Sequence, residues 1–254
     1  MQLKSALKRV IGEIGLVKPI LEIHNIAKNF GGLQALKGIN LNVDKTERLG
    51  LIGPNGSGKT TLINVISGVL RCDKGKVIFE GTDITHLSPH KITRLGVART
   101  FQIPKPFTSM RVLENVTIPL LFVHGSSVHN YEDIALSLLK LVGIESKAYF
   151  PTSQLTQIEL RKLELARALA TKPKLLLLDE VGAGLTAAEI DELITFLKKL
   201  NNEGLTIIMV EHVMRAIFQF CERVVVLNFG EVISDGTPKE ISSDPKVVSI
   251  YLGQ

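Results

Sequence analysis

Gly53-Pro54-Asn55-Gly56-Ser57-Gly58-Lys59-Thr60 is the stretch that decides the fold. It matches the spacing G-x-x-x-x-G-K-[S/T], which requires an apolar strand before it and a helix after it. Both flanks are present. Arg48-Leu49-Gly50-Leu51-Ile52 runs into the loop, and Thr61-Leu62-Ile63-Asn64-Val65-Ile66 opens a helical pattern. The glycines let backbone N–H groups close around phosphate oxygens, and the helix N-terminus adds partial positive charge. In this setting Lys59 is expected to reach the β- and γ-phosphates, and the Thr60 hydroxyl to coordinate Mg²⁺. A Gly-rich turn with a surface lysine would not need the complete pattern between a strand and a helix. The expectation is a nucleotide-binding chain.

A second stretch bears on reaction type. Leu175-Leu176-Leu177-Leu178-Asp179-Glu180 reads as a buried strand ending in two adjacent carboxylates. Strand side chains alternate faces, so neighbouring acids can take different tasks. Asp179 is assigned to the Mg²⁺ shell. Glu180 is assigned to orient or deprotonate the attacking water. Gln102, in Arg99-Thr100-Phe101-Gln102, offers a neutral amide that can touch both metal and water. His212 follows the apolar run Thr206 to Val210, so an imidazole there can bond the γ-phosphate.

Working outward, strand-like runs occur at Ile20 to Ile23, Ile39 to Val43, Leu49 to Ile52 and Lys76 to Phe79. Turns at Gly31-Gly32 and Asp44-Lys45 predict antiparallel strands ahead of the nucleotide loop. Val112 to Val123 and Asp133 to Val142 read as helices, with a polar break at Gly125-Ser126-Ser127. Strand and helix alternate again from Leu175 to Leu227, which implies a largely parallel sheet covered by helices. Residues 103–168 read as an inserted helical lobe.

Composition bounds the remaining choices. The 254 residues are 45% hydrophobic, enough for a large core. The +5 formal charge is scattered, with no aromatic-interleaved basic run, so nucleic acid is not an expected partner. Cys72 and Cys221 are isolated and fit a reducing, cytosolic setting. No run approaches the roughly 18 apolar residues of a membrane span. Residues 1–19 form a basic amphipathic extension, with Leu3, Leu7, Val10, Ile11 and Ile14 at helical spacing beside Lys4, Lys8 and Arg9. It lacks the unbroken apolar block and cleavage site of a secretory signal.

Together these residues resemble the ATP-binding subunit of ABC transporters across residues 20–254. The matching parts are the phosphate loop at Gly53, the glutamine loop at Gln102, a signature-like stretch at Leu155, the Asp179-Glu180 strand and the switch histidine His212. The resemblance implies an α/β fold of the P-loop NTPase type, with a mainly parallel core sheet, a small antiparallel part and an inserted helical subdomain. It implies ATP hydrolysis with Mg²⁺ held by Thr60, Gln102 and Asp179, and nucleotide held by Gly53 through Thr61. Phe30 stands where the family places an adenine-stacking aromatic. Arg99 to Gln102, Glu164 to Ala170, Glu211-His212 and the ending Ile250-Tyr251-Leu252-Gly253 are similar to branched-chain amino-acid importer ATPases. That ending is shared with lipopolysaccharide-exporter ATPases. The implied partners are a second ATPase subunit, identical or different, and transmembrane permeases, which would place the chain on the inner face of the cell membrane.

Departures from the family pattern shape a further expectation. The signature L-S-G-G-Q reads here Leu155-Thr156-Gln157-Ile158-Glu159. In the family this segment, represented by Thr156 and Ile158, contacts nucleotide bound to the opposite subunit. Thr156-x-x-Glu159 is a capping box, so the helix start is retained. Ile158 adds bulk where the backbone should approach phosphate, and Glu159 adds negative charge near an anion. Val181 replaces the usual proline, and Thr186 stands where aspartate is common. In a heterodimer the partner's ATP would meet this altered segment, while in a homodimer both sites would. The alternatives are a nucleotide-gated interaction module with weak hydrolysis, or an exporter-type ATPase.

Overall fold

The computed structural model describes residues 18–125 and 130–252. Of the amphipathic extension read over residues 1–19, residues 1–17 lie outside the described residues, as do Ser126, Ser127 and Gly253.

β1 (Leu21–Phe30) turns at Gly31-Gly32 into β2 (Leu33–Val43), and the two pair antiparallel with Phe30 opposite Leu33. The turn after Asp44 behaves differently from expectation. It does not fold β2 back on itself but passes the chain to β3 (Arg48–Ile52), which belongs to another sheet. β3 feeds the phosphate loop and α1 (Lys59–Ile66). β4 (Lys74–Phe79) and β5 (Thr82–Asp83) then complete a four-stranded antiparallel sheet in the order β2-β1-β4-β5.

α2 (Pro89–Leu95) leads into β6 (Val97–Arg99), three residues that carry too short a pattern to be recognised in advance. A helical region follows: α3 (Val112–His124), α4 (Tyr131–Leu141) and α5 (Gln157–Ala170). α3 keeps its helix through Pro119. α5 starts on the expected capping box, with Thr156 Oγ1 accepting from Glu159 N and Glu159 Oε2 from Thr156 N. It runs two residues beyond the boundary read at 168. β7 (Leu175–Asp179), α6 (Ala187–Asn202), β8 (Thr206–Val210), α7 (Met214–Phe220) and β9 (Arg223–Asn228) continue the alternation. β10 (Glu231–Gly236), α8 (Pro238–Ser243) and α9 (Pro245–Leu252) end the described chain.

The second sheet has the order β10-β9-β3-β8-β7-β6, parallel except for the β10–β9 pair. Its inner strands are buried on both faces, as parallel sheets under helices require. Alternate residues divide between two apolar clusters. Leu176, Leu178, Ile207, Met209, Val224 and Val226 face one shared with α3, α4, α5 and α6. Leu175, Leu177, Ile208, Val210, Val225 and Leu227 face one shared with α1 and the antiparallel sheet. This period-two division explains why Leu175 to Leu178 is an unbroken apolar run. Truncating any of these leucines to alanine should cost about 2–5 kcal/mol.

Candidate nucleotide site

Parallel register sets the site. Leu51 on β3 and Asp179 on β7 both pair with Val210 on β8, and Arg99 on β6 pairs with Leu177. Four neighbouring strands therefore end at one edge of the sheet. Each hands its following residues to the same region: the loop at Gly53, His212, Glu180 and Gln102. Ligands of open parallel sheets bind at this carboxyl edge.

The loop's backbone depends on glycine at two positions. Gly53 has φ +151°, and a Cβ there would lie 2.1 Å from the Leu227 carbonyl oxygen. Gly58 has φ +106° and caps α1 without a side chain, leaving the first helical N–H groups open; a Cβ would meet the Ala35 oxygen at 2.7 Å. Open N–H groups at a helix start are an anion site. Lys59 is buried and folds back on the loop, its Nζ donating to the carbonyls of Gly53 at 2.7 Å and Pro54 at 2.9 Å. Burial pushes the Lys59 ammonium below its ordinary pKa, opposed by the negative charges of Glu180 and Asp179.

A cavity of about 570 Å³ opens over the loop. Phe30, Asn55, Gly56, Ser57, Gly58, Lys59, Thr60, Thr61, Gln102, Glu180 and His212 line it, which brings most of the expected residues together. Gly53 and Pro54 sit beneath it and act through the carbonyls that hold Lys59. Glu180 lies at the centre. Its Oε2 accepts from Gln102 Nε2 at 2.5 Å, and its Oε1 lies 2.8 Å from His212 Nε2. Its backbone is left-handed, φ +53°, and its N–H donates to the Val210 carbonyl. The two acids thus diverge because the chain turns sharply after Asp179, as well as through strand pleating. A non-glycine residue held in this region is uncommon and costs of order 1–3 kcal/mol.

Asp179 is placed differently from Glu180. It is buried beside the cavity, and its Oδ2 accepts from Arg99 Nη2 at 2.8 Å. Thr156 and Ile158 lie at the start of α5, away from this cavity, both exposed. Leu33, Gln34, Ala35, Lys37 and Phe229 line the cavity without having been foreseen. The first four follow from the Gly31-Gly32 hairpin, which folds them against Phe30. Phe229 is 75% exposed with φ +44°, in a turn whose Gly230 N–H donates to the Ser57 carbonyl. That long-range contact leaves no local signal.

Thr60, Gln102 and Asp179 supply a hydroxyl, an amide and a carboxylate, the hard oxygen donors that suit Mg²⁺. Among the described residues no three His, Cys, Asp or Glu side chains cluster as a metal site of their own.

Comparison with known proteins agrees with this geometry. The ABC transporter family model matches residues 36–183, and a branched-chain amino acid ATP-binding cassette transporter model matches residues 231–254. LivG of Archaeoglobus fulgidus, described as a probable branched-chain amino acid transport ATP-binding protein, is 39% identical over 245 residues, covering 92% of this chain and 95% of that protein. The crystal structure of an ABC-transporter ATP-binding cassette in its ADP conformation superposes with a TM-score of 0.82 at 34% identity, covering 93% of this chain and all of that one. A dimeric cassette in a post-hydrolysis state, bound to ADP and Pi, gives 0.80 at 28% identity, covering 86% of this chain and 98% of that one. A loop, acid, amide and imidazole converging at one sheet edge, in a chain matched over more than half its length, make this protein a member of the ABC transporter family, its nucleotide-binding, ATP-hydrolysing subunit.

Proposed function

We propose that this chain energises import of branched-chain amino acids, working as one of two ATPase subunits beneath transmembrane permeases. The cargo reading rests on the likeness to branched-chain transport ATP-binding proteins. The catalytic reading rests on one observation: Glu180 is held between Gln102 and His212 over the phosphate loop.

In this reading Phe30 stacks on the base, and the loop N–H groups with Lys59 hold the phosphates. Glu180 orients a water and takes its proton as oxygen bonds to the γ-phosphorus and the bond to the β-phosphate oxygen breaks, releasing ADP. His212 donates to the γ-phosphate and steadies the charge that develops. Mg²⁺, held by Thr60, Gln102 and Asp179, supplies further charge neutralisation when bound.

A permease contact is supported by an exposed apolar surface around the Gln102 segment. Phe101, Ile103, Phe107 and Phe122 are exposed, and a groove of about 320 Å³ runs among Phe101, Phe107, Phe122 and Arg167. Clustered exposed aromatics mark interaction sites. Among the described residues no helix is long and apolar enough to cross a membrane. Opposed subunits are supported by the dimeric cassette and by the exposed start of α5, where Ile158 is 37% exposed.

The test is uptake of labelled leucine in cells lacking this subunit. Restoration by the wild-type chain but not by Glu180→Gln is expected. Restored leucine uptake by Glu180→Gln would refute the catalytic assignment, and unchanged uptake on deleting the subunit would refute the cargo.

A further inference from the structure

Arg99 is buried at the end of β6, and nothing in phosphate binding accounts for its position. Its Nη2 donates to Asp179 Oδ2 at 2.8 Å, with the two side chains only 8% and 3% exposed. Its Nη1 donates to Asn64 Oδ1 at 2.5 Å and contacts Ser67 Oγ at 3.4 Å, the first on the helix that begins in the phosphate loop and the second at that helix's C-cap. The guanidinium lies 4.9 Å from the Phe101 ring centroid, and Nε is buried without a partner. Three of these contacts fix the guanidinium independently of Asp179. A planar cation so anchored dictates which carboxylate oxygen is engaged and which stays free.

We propose that Arg99 is a positioning residue for Mg²⁺: clamped by Asn64, Ser67 and Phe101, it engages Asp179 Oδ2 and so presents Oδ1 to the metal's shell. This rests on the assignment of Asp179 to the metal. A lysine could keep the charge but not the fork that reaches Asn64 and Asp179 together. A purely structural arginine would instead change stability and nucleotide affinity alike, with or without metal.

The experiment measures binding of a fluorescent ATP analogue to the purified chain in EDTA and across a Mg²⁺ titration, without turnover. Partners that orient metal ligands are worth roughly 10- to 100-fold in metal affinity. Arg99→Met should raise the half-saturating Mg²⁺ concentration by about tenfold or more and leave affinity in EDTA within about twofold. Arg99→Lys should fall between wild type and Arg99→Met. If Arg99→Met does not fold, Asn64→Ala and Phe101→Ala loosen the clamp without touching Asp179 and should shift the Mg²⁺ midpoint the same way. An unchanged midpoint in the folded variants, or equal losses with and without Mg²⁺, would overturn the assignment. A separate control, Asp179→Asn, should itself weaken Mg²⁺ dependence. If that control fails, the metal role of Asp179 is wrong, and the Arg99 assignment falls with it.

Discussion

Glu180 and His212 are held 2.8 Å apart because β7 and β8 run parallel with Asp179 opposite Val210, so each residue leaves its strand at the same height. Their pairing is a property of the sheet rather than of either loop. Glu180→Gln keeps the shape of this contact and removes the proposed base. ATP binding should persist while steady-state phosphate release falls by roughly 10²–10⁴-fold. A phosphate-release assay showing near-normal rates would exclude Glu180 as the base.

Gly53→Ala should be far more damaging than its single methyl suggests. The added Cβ would fall 2.1 Å from the Leu227 carbonyl, and φ +151° disfavours any side chain. Denaturant unfolding should show a loss of several kcal/mol, beyond the roughly 1–3 kcal/mol of ordinary overpacking. Nucleotide binding should be lost with it. By contrast, Gly184→Ala has open space around its Cβ despite a φ of +78°, so its cost should be limited to backbone strain, of order 1 kcal/mol.

Glu211 provides a pH-dependent test. It is buried beside Glu180 and His212, and its Oε1 accepts the Gly182 N–H at 2.6 Å. Burial pushes its carboxyl above the ordinary 4.5. A raised carboxyl pKa favours the fold fully below the unfolded-state pKa, and that contribution is lost as pH rises through the folded-state pKa. Glu211→Gln removes the loss while keeping an acceptor for Gly182. Its melting temperature relative to wild type should therefore rise between pH 4.5 and neutrality. The gain is about 2–4 °C for each kcal/mol at this size. A difference that stays flat with pH would show that Glu211 does not titrate in this window.

The start of α5 makes a fourth test. Thr156→Ser, Ile158→Gly and Glu159→Gln together bring the common signature's residues back at all departing positions but Gln157, while keeping the capping hydrogen bonds available. Helix stability should drop by about 1 kcal/mol from the glycine. Turnover of a homodimer should rise, measured at saturating ATP. No rise would mean that the present helix start already serves the opposite nucleotide.

Where the sequence was legible, chemistry was local. The phosphate loop, the run Leu175 to Leu178 and the Thr156 capping box each carry their own geometry within a few residues. What escaped reading depends on contacts distant along the chain. Arg99 meets Asp179 eighty residues away, and Phe229 reaches the cavity through a turn bonded to Ser57. β6 has too few residues for a period, and β10 has no fully buried residue, so its apolar pattern is weak. The turn after Asp44 looked like a hairpin because its residues suit one, yet sheet membership is decided by the partners of β3.

Lys59 resting on the Gly53 and Pro54 carbonyls has a further effect. The loop's own carbonyls fix the position of its cation, so the ammonium does not dangle in solvent. An incoming triphosphate exchanges one set of oxygen partners for another, so little ordering entropy is lost on arrival. Encounter should accordingly be fast, and residence time, not capture, becomes the quantity that later substitutions can adjust.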